Sequence, residues 1–170
     1  DGAVRWLAAR GQFFYSPEGE PLRMLGIAAD ITERKVAESA LRRKDNELAE
    51  AQRLAGVGSW QWDADTETVV WSDELYRIAG RDADYVPSNE GSVEMVAPAD
   101  RERAQQWVKD ALTEKKGSST ELRIIRPDGD VRTLACRCEV LLDDDAQPER
   151  LFGACQDVTE SKRGHEESLA

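Results

Sequence analysis

The chain has 170 residues, 40% of them hydrophobic and 34% charged, which allows a core beneath a heavily charged surface. Lys and Arg number 23 against 34 Asp and Glu, a formal net charge of −11, so the sequence invites neither a nucleic-acid backbone nor an anionic membrane surface. No apolar run approaches the roughly 18 residues of a membrane span, and no signal-peptide pattern stands at the start.

The first element in chain order is one half of a repeat. Asp1-Gly2-Ala3-Val4-Arg5 returns as Asp128-Gly129-Asp130-Val131-Arg132, 127 residues later. The register then holds without a gap: Leu7-Ala8 matches Leu134-Ala135, Gly26 matches Gly153, and Asp30-Ile31-Thr32-Glu33 matches Asp157-Val158-Thr159-Glu160. Such an offset is that of tandem domains, each about 100 residues plus a linker. Residues 1–32 then carry only the closing strands of a preceding unit, Ala3–Tyr15 and Leu22–Ile31, around the turn Ser16-Pro17-Glu18-Gly19-Glu20. Asp1-Gly2 reads as a cut through a longer protein. A lone hairpin is marginal in water, so its apolar residues Trp6, Phe13 and Met24 are expected to dock on another surface, a second chain above all.

Residues 33–56 follow as a helical linker, roughly 36 Å long at 1.5 Å per residue. Leu41, Leu48 and Ala55 recur every seven residues, with Ala37 and Ala51 at a second seam position and Lys44 between them. Two readings stay open, a solvated spacer helix and one strand of a dimeric coiled coil.

Residues 57–160 read as a complete unit. Ser59-Trp60-Gln61-Trp62-Asp63 alternates, Asp65-Thr66-Glu67 is a turn, and Thr68–Trp71 is a second strand. Ser72 or Asp73 caps a short helix to Ala79, which Gly80 stops. Residues 81–97 suggest short helical turns. Asp100–Lys116 is a helix with Ala104, Val108, Ala111 and Leu112 on one face, ended by Gly117 and Ser118. Thr120–Arg126, Val131–Leu142 and Leu151–Val158 are strands, joined through Pro127-Asp128-Gly129-Asp130 and Asp143-Asp144-Asp145. Residues 161–170 begin a further helix. The pattern is α+β: a five-stranded antiparallel sheet with helices on one face.

Four motifs occur in order: Gly58-Ser59-Trp60-Gln61-Trp62-Asp63, Trp71-Ser72-Asp73, Arg123-Ile124-Ile125-Arg126-Pro127-Asp128-Gly129, and Asp157-Val158-Thr159, the last repeated as Asp30-Ile31-Thr32. With this element order they resemble the PAS domain family, fully over residues 56–160 and partially over 1–32. Ala97-Pro98-Ala99-Asp100-Arg101 departs from the family's His-Pro-Asp-Asp-Arg, which touches a local cap more than the fold. The resemblance implies a cytoplasmic sensory, signal-relay and dimerisation module of a larger bacterial protein. That protein is a sensor histidine kinase of a two-component system or a cyclic-dinucleotide enzyme, with the output kinase or cyclase domain in the same polypeptide. It implies a homodimer through the linker helix, and signal transfer at Asp157 and Thr159, with Asp30 and Thr32 at the first junction. The family binds flavins, haem and small acids in a cavity between sheet and helices. Trp60, Trp62 and Trp71 are the candidates to line it, core packing being their simpler role. No residue selects a ligand, so the cofactor is left unknown. A ligand-free dimerisation spacer and a cofactor-binding redox sensor stand as alternatives.

No catalytic constellation appears. The one histidine, His165, sits near the end as an expected exposed helix residue, which leaves none in the core to hold haem iron. The three cysteines, Cys136, Cys138 and Cys155, suit a reducing cytoplasm better than a disulfide framework. Cys136 and Cys138 share a strand face, and hairpin symmetry about Asp145-Ala146 brings Cys155 near Cys136. Three thiolates would suit zinc, but no fourth ligand is evident, and no metal is expected. The simpler reading is small buried residues, since the first copy has Ala9, Gly11 and Ala28 there.

Overall fold

The computed structural model describes residues 2–168, and the side chains of residues 2–164. The chain forms two compact units, Asp1–Leu48 and Ala49–Ala170.

In the first unit, β1 (Leu7–Tyr15) and β2 (Pro21–Asp30) make an antiparallel hairpin that pairs Leu7 with Asp30 and Phe13 with Met24. Gly19, at φ +87°, gives the tight turn the left-handed residue it needs. The first strand begins at Leu7 rather than Ala3, because the ladder ends with Leu7 opposite Asp30, and Trp6 bonds instead to the Ile31 amide and the Thr32 side chain at the start of the next helix. Leu7, Met24, Leu25 and Ile27 all stay more than half exposed. Helix α1 (Thr32–Ala55) follows with no buried residue, and Leu41 and Leu48 are 63% and 60% exposed.

The second unit holds β3 (Val57–Asp63), β4 (Val69–Trp71), α2 (Asp73–Ala79), α3 (Asn89–Met95), a 3₁₀ turn at Pro98–Asp100, α4 (Arg101–Glu114), β5 (Ser118–Ile125), β6 (Val131–Leu142), β7 (Pro148–Asp157) and α5 (Thr159–Ser168). The five strands form one sheet in the order β4-β3-β7-β6-β5, antiparallel at every pairing. Alternation along the strands sends Leu122, Ile124, Leu134, Cys136, Leu151 and Cys155 to one face. The helices bury that face with Leu75, Ile78, Ala79, Met95, Ala104 and Ala111.

Local chemistry sets the boundaries. The Ser72 hydroxyl caps α2 by accepting from Leu75 N, and Gly80, at φ +65°, closes it in the left-handed region. Gly58 carries no Cβ because one would lie 2.6 Å from Leu75 Cα, so α2 lies directly on β3. Asp63 Oδ1 accepts from the amides of Asp65 and Thr66, which folds the turn before β4. Residues 81–97 contain a defined helix, α3, capped by Ser88 on Gly91 N. Helix α4 stops earlier than Gly117: Lys115 takes φ +54° and donates its amide to Ala111 O. Strand β5 accordingly starts at Ser118.

Candidate functional site

The sheet and helices of the second unit line a half-open apolar cavity of about 620 Å³. Trp60 and Trp62 reach it from β3 and Trp71 from β4, so the three sequence candidates share one wall. A fourth tryptophan, Trp107 on α4, joins them. Trp60 meets Trp107 edge-on at 6.4 Å between ring centroids. Trp71 is wedged between Tyr76 at 5.4 Å and Tyr85 at 5.3 Å. Trp107 flanks the apolar face of α4, and only the packing of helix over sheet brings it to Trp60.

Trp60 owes its position to a glycine. A Cβ on Gly153 would lie 2.7 Å from Trp60 Cζ2 and would also strike Arg137 O. Lys109 is the only charged residue among the described residues that line the cavity. The indole N–H groups of Trp62 and Trp107 are buried without a hydrogen-bond partner among the described residues. Cys136 and Cys155, directly opposite in the β6–β7 register, also line the cavity. Among the described residues, no group of three Cys, His, Asp or Glu side chains is arranged for a metal. Helix α5 includes the backbone of His165, whose side chain lies outside the described residues.

The second feature is a clasp where β7 becomes α5. Asp157 Oδ1 accepts from Thr159 N at 3.0 Å and also from the Thr159 hydroxyl. The same hydroxyl oxygen accepts from Thr133 N at 2.9 Å, and Arg132 reaches Asp157 Oδ2 at 3.4 Å. Thr159 is thus buried at the start of a solvent-facing helix. The first unit builds the same clasp from matching residues. Asp30 Oδ1 accepts from Thr32 N, Thr32 Oγ1 accepts from Trp6 N, and Arg5 donates to Asp30 Oδ2, each at 2.9 Å. The Thr32 side chain and amide, together with Arg5, hold the Asp30 carboxyl below its usual range. The four junction residues therefore form two equivalent sets. Their partners Arg5 and Arg132 were matched in the repeat but not singled out from sequence.

The preceding helix ends at the same place. Asp157 N donates to Gly56 O at 3.1 Å, and Gln156 Nε2 to Ala55 O at 3.3 Å. Gly56 takes φ +62° to turn from α1 into β3.

A family model described as the PAS fold matches residues 68–155, just over half of the chain. The chain belongs to the PAS fold family. Its five-stranded sheet and helical cover are those of a PAS domain, and the cavity lies between them. A solved structure of a sensory box histidine kinase/response regulator from Burkholderia thailandensis E264 is 28% identical, with a TM-score of 0.59, over 72% of this chain and 91% of that one. Among curated proteins, the "Probable diguanylate cyclase DgcE" of Escherichia coli (strain K12) is 27% identical across 98% of this chain. The "Blue-light-activated histidine kinase" of Brucella anthropi is 29% identical across 77%. The chain spans 15% and 26% of the lengths of these two relatives. Its likeness is thus to sensory PAS segments within proteins named for a kinase or a cyclase. Among the described residues, no helix is long and apolar enough to cross a membrane.

Proposed function

We propose that this chain is a cytoplasmic sensory and signal-relay segment of a larger bacterial protein, whose output is a histidine kinase or a cyclic-dinucleotide cyclase. Residues 1–32 close a preceding PAS domain, 33–56 link, 57–160 form the complete PAS domain, and 161–170 lead to the next element. The segment relays and does not catalyse. An uncharged, largely apolar small molecule is the class of ligand the lining favours, with the unpaired indole N–H groups of Trp62 and Trp107 available to an acceptor. The observation that carries this reading is the path of β7. Cys155 lines the cavity, and two residues later Asp157 starts α5 through its clasp. A change at the wall therefore reaches the helix within one strand end, biasing which helix arrangement is populated.

The test is to purify the chain, record its ultraviolet–visible spectrum and identify any released molecule by mass spectrometry. In parallel, Ala104→Leu fills the cavity from α4. The expected results are a co-purifying small molecule, its loss in the Leu variant, and altered amide exchange in the first turn of α5. Unchanged α5 exchange in a folded Leu variant would reject the relay.

A second reading, a ligand-free dimerisation spacer, is favoured by the exposed Leu41 and Leu48 on one seam of α1. In that case no molecule co-purifies, and association depends on those leucines alone.

A further inference from the structure

We propose that Cys136 and Cys155 form a dithiol site in the cavity wall, which closes to a disulfide when an uncharged organic hydroperoxide enters the cavity. The two residues face each other directly across β6 and β7, and their sulfurs are 2.6 Å apart. Directly opposed antiparallel residues lie about 4.5–5.5 Å apart at Cα, within the roughly 4.4–6.8 Å that a disulfide spans. Both side chains are buried from bulk solvent, yet both line the cavity.

Cys138 does not share the role. It stands opposite Gly153, packs with Ala111 and Leu151, and is not among the cavity-lining residues. The fold itself does not ask for the pair. The matching positions of the first hairpin, Ala9 and Ala28, face each other in the same register and carry no sulfur.

The lining determines the reactant. Four tryptophans and aliphatic side chains admit uncharged molecules and disfavour ions. The neighbouring Cys155 sulfur and burial push the Cys136 thiol up, so it rests protonated and must lose its proton as its sulfur attacks the peroxide oxygen. In the reaction the peroxide O–O bond breaks and the sulfur–sulfur bond forms. The two thiol protons leave with the two oxygens, one as water and one as the alcohol. The thiols are oxidised by two electrons and the peroxide is reduced by two. The new bond ties β6 to β7 two residues before Asp157.

The test treats the 170-residue chain with cumene hydroperoxide and measures intact mass and free thiols. The expected product has lost the mass of two hydrogens and regains it with dithiothreitol. After unfolding and alkylation, Cys138 alone is labelled. Cys138→Ala behaves like the parent, whereas Cys136→Ala and Cys155→Ala show no such loss. A parent chain that keeps its full mass while a free dithiol in the same tube is oxidised overturns the proposal. So does a bridge to Cys138, or one between chains. A preference for hydrogen peroxide over cumene hydroperoxide, judged against that free dithiol, overturns the role of the cavity.

Discussion

Asp100 is buried beside the start of α4, and Arg123 gives it three hydrogen bonds of 2.9 Å, two from the guanidinium and one from the backbone. These bonds, with Arg103 nearby, hold its carboxyl well below the usual range. The folded pKa lies below the unfolded value of about 3.9, so the stabilisation is complete at neutral pH and fades as pH falls below about 4. Asp100→Asn should therefore cost about 1–3 kcal/mol at neutral pH. The gap to the parent should narrow in acid, read from denaturant titrations at several pH values. An equal gap at pH 7 and at about pH 3 would mean that the charge is not what matters. Trp60 offers a second test. Its ring borders the cavity, so Trp60→Ala should cost about 2–3 kcal/mol, less than the roughly 3–5 of a fully enclosed ring. Gly153→Ala leaves Trp60 chemically intact but places a methyl group 2.7 Å from its ring, and should cost about 1–3 kcal/mol. Urea unfolding of the two variants compares them directly.

The clasp at Asp157 is a property of an element boundary. Thr159→Val removes the oxygen that accepts from Thr133 N and donates to Asp157, while keeping the shape of the side chain. Amides in the first turn of α5 should then exchange faster with deuterium, while those at the centre of β6 keep their protection. Thr32→Val should do the same to the first turn of α1. If both helix starts keep the parent's exchange rates, the clasps do not hold them. Boundaries of this kind were legible where the determinant is local. Ser72 and Gly80 bracket α2 as read, and alternation marked β6 at Val131–Leu142. They were not legible where the partner is remote. Asp100 has the composition of a helix cap, yet its carboxylate goes to Arg123, 23 positions away on β5, and makes no cap bond. Gly117 and Ser118 mark the end of α4 in the sequence, but Lys115 adopts the left-handed conformation first. Strand alternation puts Trp60 and Trp62 on one face, and the aromatic and β-branched run to Trp71 marks the second strand. Trp107 was not placed with them, because that requires the crossing of α4 over β3.

At the scale of the whole chain, the two units differ in what they bury. The second has a core, whereas the hairpin of the first leaves Leu7, Phe13, Met24 and Ile27 exposed. Their counterparts 127 residues on, Leu134, Val140, Leu151 and Ala154, lie within the sheet of the complete domain. A chain lacking residues 1–32 should therefore melt like the parent in its second unit but associate more weakly, as light scattering across concentrations would report. Equal masses for both would remove the hairpin from any role in association. The hydrogen bonds of Asp157 have a further consequence. Its amide holds Gly56, where α1 has ended, and its carboxylate holds Thr159, where α5 begins. The incoming and outgoing helices are two shafts seated on one bearing. In the proposed relay, a twist of the first would reach the second through this one residue. The cavity comes within two residues of that bearing, at Cys155, where in the proposed relay an altered wall would act as a brake.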